Sequence, residues 1–315
     1  MLKDLLDSNK KIFKLVCGAG NECVKDVERL SALYSSAGAN IFDVCAKPEI
    51  VRAAKKGIEA SGITKDRYIC VSIGIKGDPH ISKAKINNNC TKCNLCENVC
   101  PNGAISNCEI IKEKCIGCKS CFDVCEADAI DMFEQDVDIA LVLPELVKIG
   151  IDCIELHATS EFVEDVWEKW KIINECFDGV VSICIDRLNL GNKQVFSRID
   201  KMLKFRKPYS TIIQADGIPM SGSDDDYKTT LQAVAMAEII QNFNLPVYIL
   251  ISGGTNSKTA NLAKLCNIDY SGISIGSYAR KIVKQYINDD NFYDKDIFSK
   301  AYSLAKNLVN ESVAK

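Results

Sequence analysis

The cysteines between residues 90 and 125 form the most chemically specific pattern in this sequence. Two runs each carry three cysteines separated by two-residue gaps, and a fourth cysteine follows after a three-residue gap. An iron–sulfur cubane needs one thiolate on each of its four irons, and in paired runs of this type the fourth cysteine ligates the cluster of the other run. The spacing therefore predicts two [4Fe–4S] clusters. The expected ligands are set I, Cys90, Cys93, Cys96 and Cys125, and set II, Cys115, Cys118, Cys121 and Cys100.

Zinc and disulfides are the alternative uses of these cysteines. Structural zinc sites use pairs of Cys-x2-Cys, and a triplet with a trailing fourth cysteine departs from that pattern. The nine cysteines outside the two sets lie mostly in apolar, strand-like runs, and their number is odd. This distribution is typical of free, buried thiols in a reducing compartment. We therefore favour iron–sulfur ligation for the two sets, and we expect the protein to be located in the cytoplasm.

Composition limits the partners that we expect. The 315 residues are 47% hydrophobic, which suits one large α/β domain or two ordinary ones. A formal charge of −3 gives no indication of nucleic acid or an anionic membrane surface as a partner. No apolar run approaches the roughly 18–20 residues of a membrane span, and the N-terminus lacks an apolar signal core. We expect a protein that binds neither nucleic acid nor membrane.

Short β-branched runs alternate with amphipathic segments along the rest of the chain. Eight such alternations predict an α/β fold of the (β/α)8 TIM-barrel type. No G-x-G-x-x-G motif follows the first strand, which argues against a nicotinamide-binding open sheet. The predicted strands are Phe13–Cys17, Ile41–Cys45, Ile69–Ile73, Cys153–His157, Val180–Asp186, Thr211–Asp216, Val247–Ser252 and Tyr270–Ile275.

The cysteine runs interrupt this alternation after the third strand. We expect a small ferredoxin-like domain at residues 87–133, inserted between the first part of the barrel, 1–86, and its remainder, 134–315, which ends in C-terminal helices. Strand-to-helix loops form the face of a barrel on which active sites lie. The insertion is therefore expected beside the barrel mouth, where clusters could deliver electrons to a bound molecule. The alternative is an insertion with a separate electron-transfer role.

The inward-facing strand positions carry many polar side chains. Successive strand residues alternate between the two faces, and the outward face of a barrel must be apolar to pack on helices. Buried charges are costly unless they are paired, so a polar lumen indicates a ligand or reaction site. The predicted lumen residues are Lys14, Asp43, Ser72, Glu155, His157, Asp186, Gln214, Asp216 and Ser274.

Four of these residues are candidates for catalysis: Lys14, His157, Asp186 and Asp216. The last three lie nearest the carboxyl ends of their strands, and a histidine there can transfer protons. The alternative for Lys14 is a structural role, in an ion pair with Asp43 or Glu155. His157 could equally be a hydrogen-bonded core residue. His80, in the loop that leads to the cysteines, could be functional or merely solvated.

Glycine-rich loops follow the last two predicted strands. Barrels often bind phosphate between these loops through backbone N–H groups and a helix N-terminus, and an arginine can pair with it. FMN is the economical candidate, since flavins accept single electrons and release pairs, and a phosphorylated metabolite fits equally well. The alternative is two tight turns with a surface arginine. The candidate binding residues are Gly253, Gly254, Thr255, Asn256, Gly276, Ser277 and Arg280.

Several stretches, in chain order, resemble the light-dependent period family of iron–sulfur proteins, best known from cyanobacteria, where they relay redox state to the circadian clock. The resemblance implies two iron–sulfur clusters and a redox-sensing association, and it does not carry over an enzymatic activity. One departure from the ferredoxin pattern is Glu126, where proline would usually follow the cysteine. The stretches are 13–19, 37–48, the double cysteine run, 214–217 with 219–222, 253–256 and 276–281.

Two functions remain open from the sequence. In the first, the clusters exchange electrons with a flavin or organic ligand at the barrel mouth, as in an iron–sulfur oxidoreductase. In the second, the protein is a non-enzymatic redox sensor. A weaker third possibility is a structural role for the clusters. The expected partners are an electron donor or acceptor protein, or a small-molecule substrate.

Overall fold

The computed structural model describes residues 1–18, 20–217 and 224–314. The part of the sixth strand-to-helix loop that resembles the family, 219–222, lies outside the described residues. The strands, in chain order, are β1 (Ile12–Gly18), β2 (Ile41–Cys45), β3 (Tyr68–Ile73), β4 (Ser82–Ile86), β5 (Ile105–Ser106), β6 (Glu109–Ile110), β7 (Ile130–Glu134), β8 (Cys153–His157), β9 (Val180–Ile185), β10 (Thr211–Asp216), β11 (Tyr248–Ser252) and β12 (Gly272–Ile275).

The helices surround the barrel or belong to the segment that carries the cysteines. In chain order they are α1 (Leu2–Leu6), α2 (Val24–Ala37), α3 (Pro48–Ala60), α4 (Leu95–Val99), α5 (Ser120–Asp123), α6 (Ile139–Ile149), α7 (Val163–Cys176), α8 (Asn192–Leu203), α9 (Tyr227–Asn242), α10 (Thr259–Leu265), α11 (Ser277–Ile287) and α12 (Lys295–Val313). Within the ranges given above, no helix has both the length and the apolar character needed to cross a bilayer.

Eight parallel strands close into a barrel in the order β1-β12-β11-β10-β9-β8-β3-β2. This confirms the predicted (β/α)8 fold. Outward strand residues such as Phe13, Ile154 and Ile213 are fully buried against the helices. The amino-terminal end of the lumen is apolar, and Leu2 and Leu5 of α1 pack into it. The sequence analysis did not anticipate α1, which closes the barrel opposite the expected active face.

The segment between β3 and α6 forms a separate lobe. Its first and last strands, β4 and β7, pair antiparallel from Ser82↔Glu134 to Ile86↔Ile130, so the chain leaves and re-enters the barrel side by side. β5 and β6 form a short hairpin within it. The core of the lobe contains cysteines of both sets together with Ala84, Ile105 and Ile130. The exact domain limits, 87–133, stay a prediction.

Candidate functional site

Lys14 occupies the centre of the barrel lumen and is 2% exposed. Its Nζ lies 2.6 Å from Oε2 of Glu155, 2.7 Å from Oε1 of Gln214 and 3.1 Å from Oδ2 of Asp43. Burial acts to lower the pKa of Lys14, but the charges of Asp43 and Glu155 hold it well above its usual value. Lys14 is therefore a paired, protonated cation, as in the ion-pair interpretation, and its nitrogen has no lone pair to offer a substrate.

A second charged group continues from Glu155 to the mouth of the barrel. Nδ1 of His157 lies 2.8 Å from Oδ2 of Asp78, and Nδ1 of His80 lies 2.7 Å from Oδ1 of the same carboxylate. Nε2 of His157 is 3.6 Å from Oε1 of Glu155. Although burial opposes it, the nearby carboxylates of Asp78 and Glu155 raise the pKa of His157 well above its usual value. His157 is thus an imidazolium between two carboxylates.

These contacts form one chain of alternating charge, Asp43, Lys14, Glu155, His157 and Asp78, that ends at His80. The His80 side chain is 22% exposed, so the chain connects the buried lumen with the surface. Sequence reasoning missed the role of Asp78. The available signal was its place between Gly77 and Pro79 in the loop after β3, two residues before His80.

Asp216, at the end of β10, presents a carboxylate to the barrel mouth and is 7% exposed. Its Oδ2 accepts a hydrogen bond from Sγ of Cys184 at 3.3 Å. Its Oδ1 is buried and has no hydrogen-bond partner in the part of the chain that is described. Burial raises the pKa of Asp216. A buried, charged carboxylate oxygen without a donor is costly, which favours the protonated acid.

Asp186 follows β9 and is buried, but it does not line the cavity that contains Asp216. Its Oδ1 accepts a hydrogen bond from the backbone N–H of Leu188 at 2.8 Å. Burial raises the pKa of Asp186 to about 6. Of the four catalytic candidates, the structure brings His157 and Asp216 together at one cavity, places Asp186 beside it and commits Lys14 to the buried ion pairs.

The loops after β11 and β12 form the other wall of this cavity, which we call the mouth cavity. Gly253 and Gly254 have φ angles of +72° and +77°, in the left-handed region that favours glycine. A Cβ on Gly253 would collide with the carboxylate of Asp216. The cavity is narrow, about 80 Å³. Its lining includes the predicted residues Gly253, Gly254, Thr255, Gly276, Ser277 and Arg280, together with His80, His157 and Asp216.

Two of the predicted binding residues have structural roles in this loop region. Nη1 of Arg280 donates to the carbonyl oxygens of Val16 at 3.0 Å and Cys17 at 3.1 Å, which fixes the guanidinium at the cavity wall. Asn256 lies outside the mouth cavity, and its amide donates to the carbonyl oxygens of Asp224 and Asp226, both at 2.8 Å. Asn256 therefore anchors the loop that precedes α9.

A larger cavity, the cluster groove, lies between the cysteine lobe and helices α2 and α11. It has a volume of about 490 Å³, within the roughly 300–1,000 Å³ of small-molecule sites. Its wall includes Cys118 of set II and Lys284 of α11. Ile116, Ser277 and Arg280 line both the cluster groove and the mouth cavity, so the two spaces adjoin.

The cysteine sets each line a cavity of their own. One is lined by all four members of set I and the other by all four members of set II. Backbone N–H groups donate to cysteine sulfurs, from Ala104 to Cys100 at 3.2 Å and from Ala129 to Cys125 at 3.3 Å. Four thiols around one space, with amide donors to the sulfurs, fit a [4Fe–4S] cluster.

Lys83 joins the set II side of the lobe to the barrel. This lysine is 1% exposed, and its Nζ donates to the carbonyl oxygens of Gly20 and Cys115, both at 2.6 Å. It also pairs with Oε1 of Glu22 at 3.2 Å. The backbone N–H of Glu22 donates to the carbonyl oxygen of Glu113 at 2.8 Å. These bonds hold the loop that carries Ile116 against the end of β1.

Comparison with known proteins places the chain in a family. The family model described as the Light dependent period A C-terminal domain matches residues 145–311, and that of the LdpA Fe-S cluster-binding domain matches residues 88–136. Light dependent period A of Synechococcus elongatus is 31% identical over 285 residues, which cover 85% of this chain and 80% of that protein. The chain belongs to the light dependent period A family. This confirms the resemblance, and the family's cluster-binding domain makes the chain an iron–sulfur, redox-type protein.

Two further similarities are narrower than the match to the light dependent period A family. Electron transport protein HydN of Escherichia coli K12 is 37% identical over 85 residues, 25% of this chain and 46% of that protein. The structure of Mycobacterium tuberculosis tryptophan synthase superposes with a TM-score of 0.50 at 10% identity, over 100% of this chain and 98% of that one. The second similarity concerns the barrel fold alone.

Proposed function

We propose that this protein transfers electrons between two [4Fe–4S] clusters, held by sets I and II, and a phosphate-bearing ligand at the barrel mouth. One observation carries the proposal. Ile116 directly follows Cys115 of set II, and it lines both the mouth cavity and the cluster groove. A ligand in either space would therefore lie against the loop that wraps the set II cluster.

The two sets suit different ends of an electron path. Bound clusters would supply single electrons at low potential. Set II faces the barrel through Ile116 and the bonds of Lys83. Set I includes the exposed Cys93, and the exposed apolar side chains of Leu95 and Phe122 lie on the two short helices of the lobe. We propose that an electron donor or acceptor protein meets the lobe at this outer side.

The class of ligand follows from the loops after β11 and β12. The left-handed glycines Gly253 and Gly254 allow close approach to the backbone, and the N-terminus of α11 has no side-chain cap. These features, on the last two strands of a barrel, support a phosphate group at Ser277. The cluster groove would hold the organic part of the ligand. FMN is the proposed occupant because it converts single electrons into pairs.

His157 and Asp216 line the mouth cavity, which adjoins the cluster groove, and they would supply protons to the flavin through water in that cavity. Reduction of one FMN takes two electrons, one from each cluster, and two protons. His157 is a charged imidazolium at the cavity wall, and Asp216 has a raised pKa and a buried oxygen that faces no donor in the described residues. Asp78 couples His157 to the partly exposed His80, which offers a route for proton replacement.

A redox sensor without turnover is the second candidate, and the size of the mouth cavity favours it. About 80 Å³ holds several water molecules, at roughly 10–15 Å³ each, and little more than a phosphate group. In a sensor the clusters would change oxidation state without passing electrons to a small molecule. The binding of FMN separates these two functions.

Two variants of Ser277 test the proposal with little change to the fold. Ser277→Asp places a negative charge at the cavity wall, and acidic residues in the first turn of a helix are favourable for the helix itself. Ser277→Asn introduces a side chain of about the same size as aspartate but without its charge. Under anaerobic conditions we expect FMN to bind wild type and Ser277→Asn alike, and Ser277→Asp at least about tenfold more weakly. Absence of FMN binding to all three proteins contradicts the flavin function and favours the sensor.

A further inference from the structure

A fifth cysteine, Cys108, lines the cavity of set I. The cavity is bounded by Cys90, Cys93, Cys96 and Cys125, and also by Cys108, which is not a member of either ferredoxin-type run. Cys90 is the set I ligand that most strongly affects the Cys108 thiol, whose pKa is raised by burial and by the Cys90 side chain. A four-iron cluster has one thiolate position on each iron, so this space contains one thiol more than a cluster requires.

The backbone places Cys108 there at a conformational cost. Asn107 and Cys108 form the turn of the β5–β6 hairpin with φ angles of +51° and +60°, and left-handed conformations are uncommon for residues other than glycine and asparagine. The turn is attached to α4, because the N–H of Asn107 donates to Oε2 of Glu97 at 3.2 Å. α4 itself carries Cys96 of set I. The hairpin therefore holds the Cys108 sulfur beside the cluster ligands.

The thiol proton of Cys108 has its own acceptor. Sγ of Cys108 donates to Oδ1 of Asn94 at 3.3 Å. Asn94 precedes α4 and has a left-handed φ of +62°. This contact orients the Cys108 thiol beside the four ligands.

We propose that Cys108 is a reserve ligand that can replace Cys90 on the set I cluster. This inference rests on the proposed function, because it requires that set I binds a cluster. In the exchange, the bond from iron to the Cys90 sulfur breaks and a bond from the same iron to the Cys108 sulfur forms. The thiol proton of Cys108 passes to the Cys90 thiolate. The charge and oxidation state of the cluster are unchanged, so no oxidant or reductant is required.

Alanine variants test the exchange through iron content and electron paramagnetic resonance after anaerobic purification. Cys90→Ala should retain the wild-type iron, about eight atoms per chain for two cubanes. Cys90→Ala/Cys108→Ala should lose iron from the set I cluster, either one atom with a [3Fe–4S] signal or the whole cluster. Cys93→Ala is the matched control, because Cys93 lines the same cavity and Cys90 is the ligand assigned to exchange with Cys108. It should lose iron to the same extent with Cys108 present or replaced.

Cys108→Ala alone provides a second test that leaves all eight ligands in place. It should contain as much iron as wild type. It should lose the set I cluster to an added iron chelator at least about threefold faster, because no second thiol can then replace a Cys90 thiolate that has dissociated from iron. The inference is overturned if Cys90→Ala loses as much iron as Cys93→Ala, or if Cys108→Ala releases iron at the wild-type rate. Wild-type protein with fewer than about seven iron atoms overturns the two-cluster function itself.

Discussion

Lys83 and Cys115 are joined by a hydrogen bond of 2.6 Å between a buried ammonium and a backbone carbonyl oxygen. Through this bond a residue of β4 fixes the set II loop against the barrel, because the same ammonium also donates to Gly20. The contact explains how a small lobe, connected to the barrel by two adjacent strands, can keep one cysteine set at a constant distance from the barrel mouth. The attachment of the set II loop to the barrel can therefore be tested directly.

Replacement of Lys83 by methionine should lower the free energy of unfolding by about 2–4 kcal/mol, because buried carbonyl oxygens lose their donor. Anaerobic urea unfolding measures this loss, and hydrogen exchange should show faster opening at residues 113–117. Lys85→Met is the control. Lys85 lies on the same strand but is exposed, and we expect a change within about 0.5 kcal/mol. Equal effects of the two substitutions would contradict the role given to Lys83.

Lys14→Met should destabilise the protein by about 3–5 kcal/mol, because it leaves the carboxylates of Asp43 and Glu155 buried without their cation. The double variant Lys14→Met/Glu155→Gln removes a charge of each sign. It should cost less than the sum of the two single substitutions in a double-mutant cycle. Additive costs, measured by urea unfolding, would show that Lys14 and Glu155 do not form a coupled pair.

Asp186→Asn should stabilise the protein at high pH. The folded-state pKa of about 6 lies above the ordinary aspartate value of 3.8. The buried carboxylate therefore opposes folding increasingly as the pH rises from about 4 to 6, and the full effect is present above pH 6. A difference of about two units corresponds to roughly 2–3 kcal/mol. The variant and wild type should therefore be equally stable near pH 3.5 and differ by up to that amount at pH 8. A pH-independent difference would contradict the raised pKa.

His157→Gln should slow proton-coupled reduction of FMN by about 10²-fold, a typical contribution of a general acid. The iron content should stay at the wild-type value, because His157 contacts neither cysteine set, and the rates are compared at saturating FMN because His157 lines the mouth cavity. Anaerobic rapid mixing of reduced protein with FMN measures the rate. An unchanged rate would remove His157 from the proton path.

Much of the barrel could be predicted because its signals are local. Phe13 and Leu15 are apolar and lie on one face of the strand, so Lys14 lies on the opposite face, inside the barrel. The same rule identified Glu155, His157, Gln214 and Asp216 as lumen residues. The eight cysteines were identifiable because iron–sulfur ligation requires a fixed spacing. These patterns lie within single strands or a single short segment.

The rest depends on contacts between segments that are distant in the sequence. Asp78 becomes important only when a loop brings it to His157, 79 positions later, and no pattern in the sequence links these two positions. The amide of Asn256 holds the backbone at Asp224 and Asp226, which precede it in the sequence, and ligand binding by Asn256 stays a prediction. Cys108 is outside the ferredoxin spacing and reaches set I only because a hairpin turns over α4.

The central claim is that electrons leave the set II cluster for a phosphate-bearing ligand at Ser277. Its most direct test is anaerobic stopped-flow reoxidation of reduced wild-type and Ser277→Asp proteins by FMN and by riboflavin, which lacks the phosphate. The account predicts that FMN reoxidises the wild-type protein with saturable kinetics. Below saturation, FMN should reoxidise Ser277→Asp at least about tenfold more slowly, and the rate with riboflavin should be the same for both proteins. Equal rates for FMN and riboflavin in both proteins would contradict it.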